Sequence, residues 1–208
     1  MEVAVERFLT GPIETNTYVV YRDDAKSCLV IDPSSGCEEV LAFIKKLNAP
    51  VAAVCLTHGH FDHILGIEEI LTSYPDASVW VHADEKILLE NPHYNGSPML
   101  GMEYTYTDPV REYVEGSMPI GEYSFNLLHI PGHSPGGCAL VFGRDCFSGD
   151  SLFAGSIGRT DFPGCDGELL LKGIREKLLT LPEDTIVWPG HMGRTTIGRE
   201  KRRNPFFL

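Results

Sequence analysis

No stretch of this 208-residue sequence approaches the roughly 18 consecutive apolar residues that a membrane-crossing helix requires, so no membrane role is expected. The opening stretch MEVAVERFLTG has neither the basic start nor the long apolar run of a secretory leader, which makes the cytoplasm the expected location. Cations are scarce as well. Seventeen Lys and Arg stand against 29 Asp and Glu, giving a formal charge of −12, so broad contact with nucleic-acid phosphates or anionic lipid is not expected. The six cysteines, Cys28, Cys37, Cys55, Cys138, Cys146 and Cys165, contain no CxxC pair, and their scatter predicts reduced, mostly buried thiols in a reducing compartment. Internal repeats and low-complexity tracts are absent too. With 43% apolar and 22% charged residues, the chain reads as one globular domain over residues 1–208.

Several short runs rich in β-branched and aromatic residues are present. VAVERFL (3–9), NTYVVYR (16–22) and SCLVID (27–32), separated by turn-like segments, predict an antiparallel meander. CEEVLAFIKKL (37–47) has helical spacing after SSG, and VAAVCL (51–56) has the continuous apolar character of a buried strand. A helix is expected over ILGIEEILTSY, a strand at SVWV (78–81) and a short helix at 84–90. Residues 91–118 show no clean period and are expected to be mostly loop. Strands follow at 123–130, 138–143, 145–149 and 184–188, with a strong amphipathic helix over GELLLKGIREKLLTL (167–181). Strands and helices thus alternate in both halves, which predicts sheets covered by helices.

Against that pattern, THGHFDH (57–63) concentrates three of the eight histidines and an aspartate in seven positions. Neither helical nor strand geometry gathers His58, His60, Asp62 and His63 on one side. They converge if 57–62 is an irregular loop between the strand ending at Leu56 and a helix beginning near His63, with Gly59 allowing unusual backbone angles. The same design recurs. LLHIPGH, CFSGD and TIVWPGH place His133, Asp150 and His191 in loops directly after apolar runs. Five imidazoles and two carboxylates are the donor set of a borderline metal such as zinc, and the count suits two ions. His82, His93 and His129 are read instead as structural, His82 at a helix start, His93 in a loop and His129 on a strand one step from the cluster.

THGHFDH, IPGHSPGG, SGD and PGH, in that order over most of the chain, resemble the metallo-β-lactamase superfamily. The resemblance implies an α/β fold, a four-layer αββα sandwich with two mixed sheets faced by helices and the metal site at one edge. It assigns His58, His60 and His133 to a first divalent ion, Asp62, His63 and His191 to a second, and Asp150 to a bridging place. Zinc is the expected metal, with iron or manganese as alternatives. His60 stands where flavodiiron-type members carry Glu, which disfavours that redox branch. SLFAGSIGRTDFPGCD (151–166) and the NPFFL terminus are similar to the small glyoxalase II-like branch, which hydrolyses S-acyl glutathione thioesters. Full-length glyoxalase II adds a C-terminal helical domain that helps hold glutathione, and this sequence stops before one. A thioester in general is therefore the firmer expectation.

What the branch implies is hydrolysis of an acyl thioester, S-lactoylglutathione or a similar S-acyl thiol, by a hydroxide shared between the ions, with Asp62 orienting it. A thiolate leaves readily enough that no strong general acid is demanded. Arg159 is the expected substrate contact. Arg194, Arg199, Lys201, Arg202 and Arg203 offer a second basic feature that reads equally as a solvated helix end. Asp32, in VIDPSS, resembles a family position that buttresses the site, and a turn-forming role explains it as well. GRTDF also resembles the persulfide dioxygenases, which use one iron and consume oxygen. A lactonase or β-lactamase on the same frame is a further alternative.

Overall fold

The expected meander forms from β1 (Ala4–Thr10), β2 (Thr15–Tyr21) and β3 (Cys28–Ile31), paired antiparallel in that order. In this computed structural model, residues 2–208 are described, so Met1 of the expected 1–208 domain lies outside. Parallel additions of β4 (Val51–Cys55), β5 (Ser78–Val81) and the two-residue β6 (Arg111–Glu112) complete a six-stranded mixed sheet. A second six-stranded sheet contains β7 (Gly116–Ile120), β8 (Tyr123–His129), β9 (Cys138–Phe142) and β10 (Asp145–Gly149). After the small ribbon of β11 (Leu152–Phe153) and β12 (Ser156–Ile157), it gains β13 (Ile186–Pro189) and β14 (Thr195–Thr196), in the order β14-β13-β10-β9-β8-β7.

The two sheets face one another across an apolar core. Tyr18, Leu29, Ile31 and Ala53 of the first sheet pack with Phe125, Leu140, Phe142 and Phe147 of the second, all buried. The outer face of the first sheet is covered by α1 (Glu38–Leu47) and α3 (Ile67–Ser73), through Val40, Ile44, Ile67 and Ile70 against Val19, Val30 and Val54. On the outer face of the second, Leu170, Ile174, Leu178 and Ile197 cover Ala139, Val141, Cys146 and Val187. This is the expected four-layer αββα sandwich. Strands β3 and β4 carry no polar alternation because both of their faces meet other layers. Helix α1 is delimited by charge and by backbone: Glu38 and Glu39 occupy its first turn, Lys45 and Lys46 its last, and Asn48 ends it in the left-handed region at φ 56°.

Three local expectations need refinement. Residues 91–118 are mostly loop, as expected, but they also contain α5 (Pro92–Asn95), a 3-10 turn at Ser97–Leu100, β6 and the start of β7. Asn95 holds this segment together, donating from Nδ2 to the carbonyls of Leu88 and Tyr104, while its Oδ1 accepts from the Ser97 amide. Second, the helix over 167–181 consists of α6 (Gly167–Gly173) and a wider π turn, Ile174–Leu178, in which the Leu179 amide reaches back to the Ile174 carbonyl. That extra residue in the turn keeps Leu178 on the buried face with Leu170 and Ile174. Third, the helix after the histidine motif starts earlier, as the single turn α2 (Phe61–Ile64), and is separated from α3 by Leu65 and Gly66.

Helices α4 (Lys86–Glu90) and α7 (Ile197–Arg203) are also present, and no helix among the described residues is long and apolar enough to cross a membrane. All six cysteines are free thiols, five of them buried. Burial pushes the Cys28, Cys37, Cys55 and Cys146 thiols up to about 12, so they serve as small apolar side chains.

Candidate metal centre

Strands β8, β10 and β13 run in the same direction, since β8 and β10 are each antiparallel to β9 and β10 is parallel to β13. Their C-terminal ends therefore open onto one edge, and the loops leaving that edge bear His133, Asp150 and His191. The β4 loop, bearing His58 and His60, meets them from the other sheet. Backbone bonds join these turns: the Cys138 amide donates to the Thr57 carbonyl at 2.8 Å, Gly190 to Gly149 at 2.9 Å and Asn16 to Gly190 at 2.7 Å. Gly149 is required by this approach. At φ 48°, a Cβ on it would lie 2.3 Å from Thr57 Oγ1.

All seven expected residues come together. His133 Nε2 lies 3.3 Å from His58 Nε2 and 2.9 Å from His60 Nδ1. On the other side, Asp62 Oδ2 lies 3.2 Å from His63 Nε2 and 3.1 Å from His191 Nε2. Asp150 stands between the two groups, with Oδ1 3.5 Å from His63 Nε2 and Oδ2 3.6 Å from His133 Nε2 and 3.5 Å from His191 Nε2. Each trio, His58–His60–His133 and Asp62–His63–His191, has its donor atoms within 4.8 Å of one another, close enough to share an ion. Asp62 and His63 both lie in the single turn of α2, which starts two residues before the expected His63 and turns both side chains into the cluster.

The surroundings of the rings decide which nitrogen faces inward. His133 Nδ1 lies 2.8 Å from the Arg159 carbonyl, which can only accept, so Nδ1 carries the proton and Nε2 presents a lone pair. Thr57 Oγ1 donates to Asp32 Oδ2 at 2.6 Å and so accepts from His58 Nδ1 at 3.1 Å, leaving His58 Nε2 as a second bare lone pair. His63 Nδ1 donates to Asp32 Oδ2 at 3.0 Å, and His63 Nε2 then faces two carboxylates with no hydrogen-bond partner. Asp150 Oδ1 is likewise buried without one. Lone pairs and carboxylates converging at such distances repel unless a cation lies among them. The donor set thus fits divalent metal.

The electrostatics differ between the two trios. Burial, reinforced by the neighbouring imidazoles, drives His58 and His60 well below the ordinary histidine range, so both are neutral, as ligands must be. Burial lowers His133 too. Although burial opposes it, the carboxylates of Asp62, Asp150 and Asp32 raise His63 well above that range, and burial likewise fails to stop His63 and His191 from holding Asp62 well below the usual carboxylate range.

Other residues support the cluster, and Glu85, Thr15 and Asn16 among them carry no signal in the sequence. Glu85, fully buried, accepts the Gly59 amide on Oε2 and the Gly136 amide on Oε1, each at 2.6 Å, and so clamps the His58–His60 loop to the His133 loop. Gly59 is needed for this close approach and not for unusual angles: its φ is not positive, and a Cβ there would lie 2.8 Å from that of Leu88. Thr15 donates to Asp62 Oδ2 at 2.8 Å, and Asn16 holds the His191 loop through the carbonyls of Pro189 and Met192. Asp32 is a buttress, accepting the Thr57 amide at 2.7 Å as well as His63, from a left-handed backbone at φ 50°.

A cleft of about 630 Å³ opens over this cluster, lined by His60, Asp62, His133, Asp150 and His191 on its floor and by Ile13, Met99, Leu100, Phe153, Phe162 and Met192 among its walls. Arg159 also lines it. Its Nε and Nη2 donate to Asp161 at 2.7 and 2.8 Å, and its guanidinium lies 4.0 Å over the Phe162 ring. The five basic residues near the C-terminus do not line the cleft; Lys201, Arg202 and Arg203 occupy the last turn of α7, and Arg202 pairs with Glu183. His82 caps the 3-10 turn at Ala83–Glu85 and stacks on His129 at 4.1 Å, while His129 Nε2 donates to the Pro135 carbonyl. His93 lies in α5, not in a loop, against Tyr94.

The family model of the metallo-beta-lactamase superfamily matches residues 10–191. The chain is 41% identical to a probable metallo-hydrolase, YqgX, of Bacillus subtilis, over 96% of this chain and 95% of the relative. It is 37% identical to the hydroxyacylglutathione hydrolase GloC of Haemophilus influenzae, over 88% and 89%. Among solved structures, it is similar to the BLEG-1 B3 metallo-beta-lactamase, with a TM-score of 0.92, 41% identity and coverage of 98% and 99%. It is also similar to TTHA1623 in a di-iron-bound form, with a TM-score of 0.85, 36% identity and coverage of 97% and 99%. Motifs, sandwich and site geometry agree with these matches, and the chain belongs to the metallo-beta-lactamase superfamily.

Proposed function

We propose that this protein is a metallo-hydrolase that cleaves acyl thioesters of small thiols. The observation that carries the reading is the pair of facing trios with Asp150 between them, at the floor of an open cleft. His58, His60 and His133 would hold one divalent ion, Asp62, His63 and His191 the other, and Asp150 would touch both. Zinc is the metal that this mixture of imidazole and carboxylate suits, and iron, which the TTHA1623 structure contains, is the alternative. When bound, the two ions supply Lewis acidity and lower the pKa of water.

The residues of the chain do the rest. Thr15, His63 and His191 engage Asp62 at Oδ2, and none of these contacts engages Oδ1, which would orient the attacking water. Water adds to the thioester carbonyl carbon, the C–S bond breaks, and the proton that water loses ends on the departing thiolate, giving a carboxylic acid and a thiol. Phe153 and Phe162 flank the cleft and restrict solvent beside the floor. Arg159 offers its remaining guanidinium nitrogen to the polar part of the thiol.

The test is the metal-loaded protein with S-lactoylglutathione and a panel of simple acyl thioesters, followed by loss of thioester absorbance. Turnover of at least one is expected, and failure with all of them contradicts the proposal. A second reading, β-lactam hydrolysis, is favoured by the 41% identity to BLEG-1, and the same protein with a chromogenic cephalosporin separates the two. One iron per chain with oxygen uptake on a persulfide would instead point to the dioxygenase branch.

A further inference from the structure

Four large apolar side chains are exposed at the mouth of the cleft: Ile13 (46%), Met99 (64%), Leu100 (41%) and Met192 (53%). They come from three separate segments, the β1–β2 turn, the 3-10 turn at Ser97–Leu100 and the loop after β13. A scattered exposed apolar residue means little, but four gathered on the walls of one cleft mark a binding surface.

Met99, Leu100 and Met192 are presented by a fixed backbone. Asn95 and Ser97 lock the turn that carries Met99 and Leu100, since Ser97 Oγ also accepts the Tyr104 amide at 3.0 Å. Met192 sits at φ 69°, a strained conformation held by Asn16 Nδ2 and Arg7 Nη1 on its carbonyl. The walls are therefore largely formed before a ligand arrives, which lowers the ordering cost of binding.

Charge points the same way. Beyond the carboxylates and imidazoles of the floor, Arg159 is the one cation lining the cleft among the described residues, and its bidentate pairing with Asp161 cancels it. A thiol bearing several carboxylates finds little to receive it there, whereas an apolar chain finds Met and Leu side chains that adapt to its shape.

We propose that Ile13, Met99, Leu100 and Met192 form an acyl-chain subsite, and that the substrates are thioesters with an apolar acyl group on a weakly charged thiol. This rests on the thioesterase reading above, and segment 91–118 gains a role as the support of one wall.

The test uses the metal-loaded full chain with S-acyl-N-acetylcysteamine esters from acetyl to octanoyl, whose thiol is neutral, alongside S-lactoylglutathione. In parallel, calorimetry follows binding of the matching S-alkyl thioethers, which cannot be hydrolysed. We expect kcat/KM, and the thioether affinity, to rise about two- to fourfold per methylene. The slope should flatten in M99S/L100S and, independently, in I13S. Flat dependence in both measurements, or a kcat/KM for S-lactoylglutathione above that for the octanoyl ester, overturns the proposal. Thioether affinity that rises while no thioester turns over supports the subsite and rejects the hydrolase reading instead.

Discussion

Asp32 Oδ2 lies 3.0 Å from His63 Nδ1 and accepts the Thr57 hydroxyl at 2.6 Å, so a single buried carboxylate orients a ring in each half of the cluster, His63 directly and His58 through Thr57. Replacing Asp32 by Asn tolerates the left-handed backbone but turns a two-oxygen acceptor into one oxygen and one NH₂. D32N should weaken metal retention by about 10–100-fold while the fold survives. Competition with a chromogenic chelator measures it. Unchanged retention would show that Asp32 is a turn residue and nothing more.

Glu85 gives a pH prediction whose sign is fixed by its surroundings. Burial raises its carboxyl from the ordinary 4.5 to about 7, against the opposing pull of the hydrogen bonds from the Gly59 and Gly136 amides. The unfolded chain ionises first, so the stability associated with protonated Glu85 is complete below about pH 4.5, declines as pH rises and levels off above about 7. Between pH 5 and 8 this contribution should fall by about 2–3 kcal/mol. E85Q removes that slope and, because an amide accepts only one of the two buried N–H groups, costs about 1–3 kcal/mol at low pH. Urea unfolding of both metal-loaded proteins at several pH values supplies the comparison; parallel profiles would contradict it.

Metal removal should loosen the edge where the two sheets meet, because bare lone pairs of His58 and His133 and the carboxylates of Asp62 and Asp150 are left facing one another. An ion present at a thousandfold excess over its dissociation constant stabilises by about 4 kcal/mol, which for a chain of this length is a change in Tm of about 10 °C. Differential scanning calorimetry with and without chelator reads it, and equal Tm values would speak against a buried centre.

The Arg159–Asp161 pair makes a charge prediction. R159A leaves Asp161 uncompensated beside the cleft and should raise KM for an anionic thioester about threefold to tenfold with kcat little changed, while D161N, which releases the guanidinium, should lower it. A neutral thioester should respond weakly to both. If R159A leaves KM for the anionic ester unchanged, Arg159 is not a substrate contact.

Much of the site was legible because its donors lie in a compact string and at the ends of apolar runs, two patterns that survive in one dimension. Three parallel strand ends then bring His133, Asp150 and His191 together, a consequence of sheet direction that the sequence implies only through the alternation of its elements. Glu85 was illegible for the opposite reason. In HADEKILLE it looks like an ordinary solvated charge, and only the tertiary approach of Gly59 and Gly136 buries it. Segment 91–118 has no period because side-chain bonds from Asn95 and Ser97 hold it, and β7, which contains Pro119, tolerates that residue as an edge strand. The π turn at 174–178 was hidden within a helical pattern whose buried positions it preserves.

An anomalous-scattering map from crystals of the metal-loaded protein would locate the ions themselves. Two peaks per chain are expected, one among His58, His60 and His133 and the other among Asp62, His63 and His191, with Asp150 in contact with both. A single peak, or metal bound elsewhere while these seven side chains stay empty, would contradict that arrangement.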